Sequence, residues 1–178
     1  AGKFYPYELV RALTTRSGGT GFADGAFEEL DLSANGNELI SVAERPWGQN
    51  QANLVVGKIT NEHSRFPQGL CRVIIIGDPT PSMGALAQPE CARILGAIDY
   101  AEKHSLPVEW VPVSSGAKIA FDSGTENLDW TAKVLRRIIL FTQQGGVINI
   151  VVDGICVGAQ SYWNAEATML NHCRGALV

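Results

Sequence analysis

Apolar and polar positions fall into two regimes along these 178 residues. Up to about residue 60 the pattern is irregular. The stretch TRSGGTGFADGAFEELDLSANGNEL is rich in Gly, Asn and Asp and predicts turns and short strands. Residues 53–60 (NLVVGKIT) predict a strand by their β-branched content. From residue 71 the order is clear. Residues 71–76 form a short, almost wholly apolar run bounded by Gly77-Asp78-Pro79, as in a strand buried on both faces of a parallel sheet. A helix is expected over 88–104, with Cys91, Leu95 and Ile98 at i, i+4 and i+7. A strand over 108–113 follows, then a helix over 128–143 that stacks Leu128, Ala132, Leu135 and Ile139. VINIVV, 147–152, reads as a third buried strand, 154–159 as a small-residue turn and 160–172 as a third helix.

Strands alternating with helices define an α/β fold with crossover connections. The expected organisation is a single domain over 1–178, with a lead-in over 1–60 and a core over 71–178. The chain ends at Gly175-Ala-Leu-Val178, inside what reads as another strand, so a fragment of a larger multidomain protein is expected. No linker, low-complexity tract or internal repeat interrupts it.

Composition narrows the possible functions. A net charge of −4 and the lack of a basic stripe argue against nucleic acid as a partner. No apolar run reaches the roughly 20 residues of a membrane span, and AGKFYPYELV carries no signal-peptide core. Cys71, Cys91, Cys156 and Cys173 show no metal spacing and read as buried free thiols. With no Asn-x-Ser/Thr sequon, this points to the cytoplasm. His104 falls at a helix end, where a cation complements the dipole. His172 beside Cys173 lacks further ligands, so no metal site is expected. Gly19-Thr20-Gly21 fails as a dinucleotide fingerprint, because position 24 is Asp24 and no strand precedes it. Ser114 and Ser115 lack the context of a nucleophile elbow.

Two turns of small residues remain, each after a buried strand and each expected to open a helix. One is Ser115-Gly116-Ala117-Lys118; the other is Val157-Gly158-Ala159-Gln160. Amide N–H groups at a helix start lack intrahelical acceptors and carry the positive end of the dipole. Gly and Ala let a ligand approach that backbone. Two such turns on neighbouring strands could aim two donors at one oxygen, an oxyanion hole. The alternative is ordinary strand–helix turns kept small for packing.

At these turns the sequence resembles a known family. GDPTPSMGALAQPE (77–90), LPVEWVPVSSGAKIA (106–120) and VDGICVGAQSYW (152–163) resemble the carboxyltransferase domain of biotin-dependent acyl-CoA carboxylases, above all the large acetyl-CoA carboxylases. VAERPWGQNQANLVVGKIT (42–60) and, more loosely, YPYELVRAL extend the likeness. SGAKI resembles the family's SGAR-I pattern, with Lys118 where Arg is usual. Arg offers a fork and Lys a point charge, so a bidentate role is lost there.

The resemblance implies a crotonase-like fold (ClpP/crotonase) of repeated ββα units, of which this chain matches the N-terminal half. It implies transfer of CO₂ from carboxybiotin, on a separate carrier domain, to the α-carbon of an acyl-CoA through an oxyanion-stabilised enolate. The implied catalytic positions are Gly116, Ala117, Gly158 and Ala159. The implied substrate-binding positions are Ser82, Met83, Gly84, Ala85, Ser115 and Lys118. The implied partners are acyl-CoA, a C-terminal carboxyltransferase half, biotin carrier and biotin carboxylase domains, and further copies in a dimer or larger oligomer. The chain departs from the family at Asp122-Ser-Gly-Thr-Glu126 and in the second turn, CVGAQSYW. Two other readings stand beside this one. A hydratase or decarboxylase with the same oxyanion hole would need acidic groups, for which Glu126 and Asp129 are the nearby candidates. A non-catalytic assembly domain of a carboxylase complex would need none.

Overall fold

The computed structural model describes residues 5–15, 24–121 and 123–178. Its centre is a seven-stranded sheet. The strands are β1 (Gly25–Leu32), β2 (Leu39–Ser41), β3 (Leu54–His63), β4 (Phe66–Gly77), β5 (Val108–Val111), β6 (Ile148–Val152) and β8 (Met169–His172), in the order β2-β1-β3-β4-β5-β6-β8. The side from β2 to β4 is antiparallel and the side from β4 to β8 is parallel. Helices α2 (Gln88–Lys103) and α3 (Glu126–Gln143) cover one face, and their buried side chains join those of the sheet in the main core. Helix α1 (Pro6–Thr14) lies on the other face, where Val10 packs with Ile59, Ile74 and Ile76. Beyond α1 that face opens into a cleft of about 540 Å³ bordered by Leu13, Val111 and Val151.

A second layer is made of very short pieces. After β4 the chain returns to make a parallel bridge from Leu86 to Ala117, and after β5 one from Ser114 to Cys156. Strand β7 (Ile155–Cys156), after β6, pairs with β9 (Ala176–Leu177), after β8. Each long parallel strand is thus followed by a fragment in a small adjoining layer. This is the ββα repeat. It delivers 86, 114–117 and 155–158 to one place.

Several expectations change. The lead-in holds α1 and the eight-residue β1, so it is more regular than turns and short strands. Gly19, Thr20 and Gly21 lie outside the described residues, as does Asp122. Strand β4 starts five residues before Cys71, because its outer half pairs with β3 while facing solvent and carries no apolar signal. Helix α2 ends at Lys103, with His104 at the C-cap against the Tyr100 ring. Strand β5 stops at Val111, before Pro112, which has no N–H for a ladder. In α3 the buried stripe is Val134, Ile138 and Phe141; Leu128 and Ala132 are exposed. The expected helix over 160–172 ends at Ala165, as the seven-residue α4 (Ala159–Ala165). Residues 169–172 are instead the exposed edge strand β8, paired with β6. Cys91 and Cys156 are buried, and desolvation pushes their thiols up to about 12 and about 11. Cys71 is half-buried and Cys173 exposed, so the thiols are not all buried.

Buried charge ties the antiparallel side to both faces. Arg45 donates to Glu29 at 2.5 Å and to Asp31, and Arg93 donates to Asp31 at 2.7 Å. The Tyr7 hydroxyl of α1 donates to Glu29 at 3.0 Å. Burial alone would raise the Asp31 carboxyl. Hydrogen bonds from Arg45 and the Leu32 N–H, with the charge of Arg93, outweigh it and hold Asp31 below its ordinary value.

A native value below the unfolded one adds stability that is complete above about pH 4 and fades as acid protonates the native carboxylate. Asp31→Ala, which takes the carboxylate partner from Arg93 and one of two from Arg45, should cost about 3 kcal/mol by urea unfolding at neutral pH. The gap between wild type and Asp31→Asn should close in strong acid. A gap that stays constant with pH would contradict the assignment.

Candidate functional site

The site is built from backbone. On the first turn, Ser114 is fully buried and its main chain is spent on the second turn. Its N–H donates to Ile155 O at 2.8 Å, and its carbonyl accepts from Val157 N–H at 3.0 Å. Gly116 takes φ +100°, which L side chains rarely adopt, and its N–H turns back to Ser114 Oγ at 3.0 Å. Gly116 O accepts from Leu86 N–H, and Lys118 N–H donates to Leu86 O, both at 2.8 Å. In such a parallel bridge the central residue's own amide faces away from its partner. The Ala117 N–H accordingly makes no hydrogen bond among the described residues, and Ala117 is exposed.

The second turn has the same bookkeeping. Gly158, at φ +63°, is the N-cap of α4, and its N–H donates to Val178 O at 2.8 Å. Ala159 is the first helical residue, and its N–H has no acceptor among the described residues. Helix α4 is held from below by Trp163, Asn164 and Gln160, all buried, with Gln160 Nε2 donating to Asn164 Oδ1 at 2.8 Å. Trp163 lies over Trp110 of β5 at a ring separation of 6.1 Å. Ser161 Oγ donates to Cys156 O at 2.7 Å. The turns touch: a Cβ on Gly116 would lie 3.7 Å from the Val157 side chain.

A third loop lies against the first turn. Ser82 and Met83 adopt φ of +47° and +51°, unusual for non-glycine residues. Gly84 follows at φ +73°, with its Cα against the Val113 carbonyl. Ser115 Oγ donates to Ser82 O at 3.2 Å. Asp78 shapes this loop by accepting from the Thr80 N–H at 2.9 Å and from Asn50 Nδ2 at 3.0 Å. Glu90 fastens the start of α2 by accepting from the N–H groups of Asn53 and Ala87.

All ten residues singled out in the sequence therefore belong to three adjoining loops. Ser82, Met83, Ser115, Ala117, Lys118 and Gly158 are exposed and Ala159 is half-buried; Gly84, Ala85 and Gly116 are buried. Lys118 borders a cleft of about 330 Å³ with Gln51, Pro81 and Pro89. The first turn does not open a helix, since α3 starts only at Glu126. A helix dipole therefore contributes nothing there, and the seven-residue α4 contributes little. Each glycine amide is already engaged, so the free donors on the turns are the alanine amides, together with the Ser115 N–H, which likewise makes no hydrogen bond among the described residues. Glu126 and Asp129 are exposed; Glu126 accepts from Gly124 N–H, and Asp129 pairs with Lys133. Among the described residues no group of three His, Cys, Asp or Glu is placed to hold a metal, and no helix is long and apolar enough to cross a membrane. Sequence reasoning missed Ser161, Trp163 and Glu90, which look like ordinary helix residues, and set Ser114 aside as a failed nucleophile.

No family model matches the chain. The chain is 28% identical over 96 residues to the acetyl-CoA carboxylase of Saccharomyces cerevisiae, covering 54% of this chain and 4% of that protein. It superimposes on the β subunit of geranyl-CoA carboxylase from P. aeruginosa with a TM-score of 0.68 at 15% identity, covering 95% of this chain and 28% of that one. At that identity the second likeness speaks for the fold, which is crotonase-like. Together the two support the resemblance drawn from the motifs, a carboxyltransferase domain of an acyl-CoA carboxylase. The chain spans a small part of either protein's length.

Gly84→Ala should show how tightly the three loops are stacked. The added Cβ would meet Val113 O at 2.5 Å at an already strained φ. We expect a loss of about 2 kcal/mol in chemical unfolding. An unchanged midpoint would show that the loops can slide apart.

Proposed function

We propose that this chain is the N-terminal half of a carboxyltransferase that moves CO₂ from carboxybiotin to the α-carbon of an acyl-CoA. The observation that carries the reading is the pair of unspent amides, Ala117 and Ala159 N–H, on two touching turns. They belong to separate elements, and as an oxyanion hole both would be aimed at one oxygen. The thioester oxygen would sit between them. As the α-carbon loses its proton, the electron pair spreads onto that oxygen, and the amides meet the charge with fixed dipoles. A C–C bond then replaces the C–H bond. Carboxybiotin, when bound, supplies the carboxyl group and a ureido nitrogen able to take the α-proton. The loops fit such a group: they offer amides, hydroxyls and one Lys. Ser82, Met83 and Gly84 would border the acyl-CoA, with Ser115 and the Lys118 ammonium at the mouth.

The rim supports a further surface. Ile119 and Phe121, just after the first turn, are fully exposed, and Leu128 of α3 is largely so. We assign their cover to the C-terminal carboxyltransferase half, in an assembly of two or more copies that also holds biotin carrier and biotin carboxylase domains in the cytoplasm. The whole of 1–178 is then one domain of that larger protein. The isolated chain should be inactive.

The reading is tested in the full-length protein by the reverse transfer, with malonyl-CoA and biocytin. Ala117→Pro and Ala159→Pro each delete one amide that bonds nothing else, and Pro suits the first position of a helix. Each should lower kcat about 10²–10³-fold while the protein stays folded. A folded variant at full rate would remove that donor. Glu126→Gln should be silent; loss of turnover, with enoyl-CoA hydration by the wild type, would favour the hydratase instead.

A further inference from the structure

We propose that Ser114 is the positioning residue of the first turn, its buried hydroxyl selecting which amide faces the substrate; this rests on the function proposed above. Three observations meet at this residue. Its backbone N–H and carbonyl are both consumed by β7 and Val157, so it cannot shift without separating the two turns. Its Oγ accepts the Gly116 N–H at 3.0 Å inside the protein, with no exposed surface of its own. Gly116 carries its carbonyl to Leu86 in the opposite sense. A glycine at φ +100° has wide torsional freedom, and two opposed hydrogen bonds remove it. With the Gly116 amide turned inward, the next peptide presents the Ala117 N–H outward. Without the hydroxyl, the buried Gly116 N–H would lack a partner, and an unmade buried hydrogen bond drives rearrangement. The simplest remedy is rotation of the 116–117 peptides, which would swing the Ala117 N–H off the developing oxyanion.

Ser114 touches no reacting atom in this scheme. Its loss should therefore act on the transition state and leave ground-state binding alone. A displacement of about 1 Å can cost roughly 100-fold in rate. The experiment uses the full-length protein with Ser114→Ala, Ser114→Thr, Ala117→Pro and the double variant Ser114→Ala/Ala117→Pro. We expect Ser114→Ala to lower kcat about 10–100-fold with KM within about twofold. A thioether analogue of the acyl-CoA, which has no carbonyl oxygen, should bind it as tightly as wild type. Ser114→Thr keeps the acceptor and should recover most of the rate. In the double variant the Ser114→Ala penalty should vanish, because the amide it positions is gone.

Full kcat in Ser114→Ala, with Ala117→Pro crippled, would overturn the positioning role and leave the oxyanion hole standing. Full kcat in both would remove the Ala117 donor itself. A Ser114→Ala protein that loses thioether binding along with rate, or that Thr does not rescue, would mark Ser114 as a structural residue and overturn the proposal. Should Ser114→Ala fail to fold, Ser114→Cys, with a weaker acceptor of similar size, should give an intermediate kcat; a rate equal to wild type would overturn the proposal equally.

Discussion

The bridge between Ser114 and Cys156 is the contact on which the candidate site depends. Two hydrogen bonds, at 2.8 and 3.0 Å, join backbone that leaves β5 to backbone that leaves β6. Backbone amides in a folded interior must be paired or wetted. Pairing here accounts for the amides one by one. Ser114 is matched to Ile155, Val157 to Ser114, Gly116 to a hydroxyl and Gly158 to Val178. Those that remain include the amides of Ala117 and Ala159, with Ser115 beside the first. The site is what the pairing scheme leaves over, and its precision is that of strand registration together with one buried hydroxyl, that of Ser114.

The rest of the molecule keeps that registration in place. Val152, Trp110 and Trp163 sit in the main core beneath the turns, each with at most a trace of exposed surface. Full burial of a large apolar side chain is worth about 1.5–3 kcal/mol, so this support is strong compared with any one hydrogen bond in the turns. On the far side of the sheet, Arg45, Glu29, Asp31, Arg93 and Tyr7 fasten α1 and α2 to the antiparallel strands. That network is farther along the sheet than the turns. Its contribution is to tie β1 to α1, to α2 and to the Arg45 loop.

Buried parallel strands were legible because they are written as nearly unbroken apolar runs; CRVIII falls within β4, and VINIVV overruns β6 by one residue, Val147. Helix α2 was legible through the spacing of Cys91, Leu95 and Ile98. The outer half of β4 and the whole of β8 were not, since exposed edge strands bear no periodic burial. Helix α4 read too long because Met169 and Leu170 prolong a helical spacing, yet both lie on the exposed edge strand. For the site, residue type and spacing picked out the turns at 115–118 and 157–160, and only the likeness to the family added Ser82, Met83, Gly84 and Ala85; the fold sets these loops side by side. The choice between neighbouring amides was beyond residue type and spacing. A hydrogen bond from Gly116 to the side chain two residues earlier depends on φ and ψ, and a one-letter pattern holds no record of either.

Glycine sets what this architecture can become. A Cβ at Gly77 would sit 2.5 Å from Val113 N, and one at Gly175 would sit 2.2 Å from Gly154 O. Main chain there lies directly on main chain, with no room for a substituent and no flexible neighbour to move aside. Lineages descended from this sequence can therefore alter the mouth of the cleft freely, at Met83, Lys118, Ile119 or Phe121, and so explore new substrates. The short-strand layer itself is closed to drift, and diversity must accumulate around it.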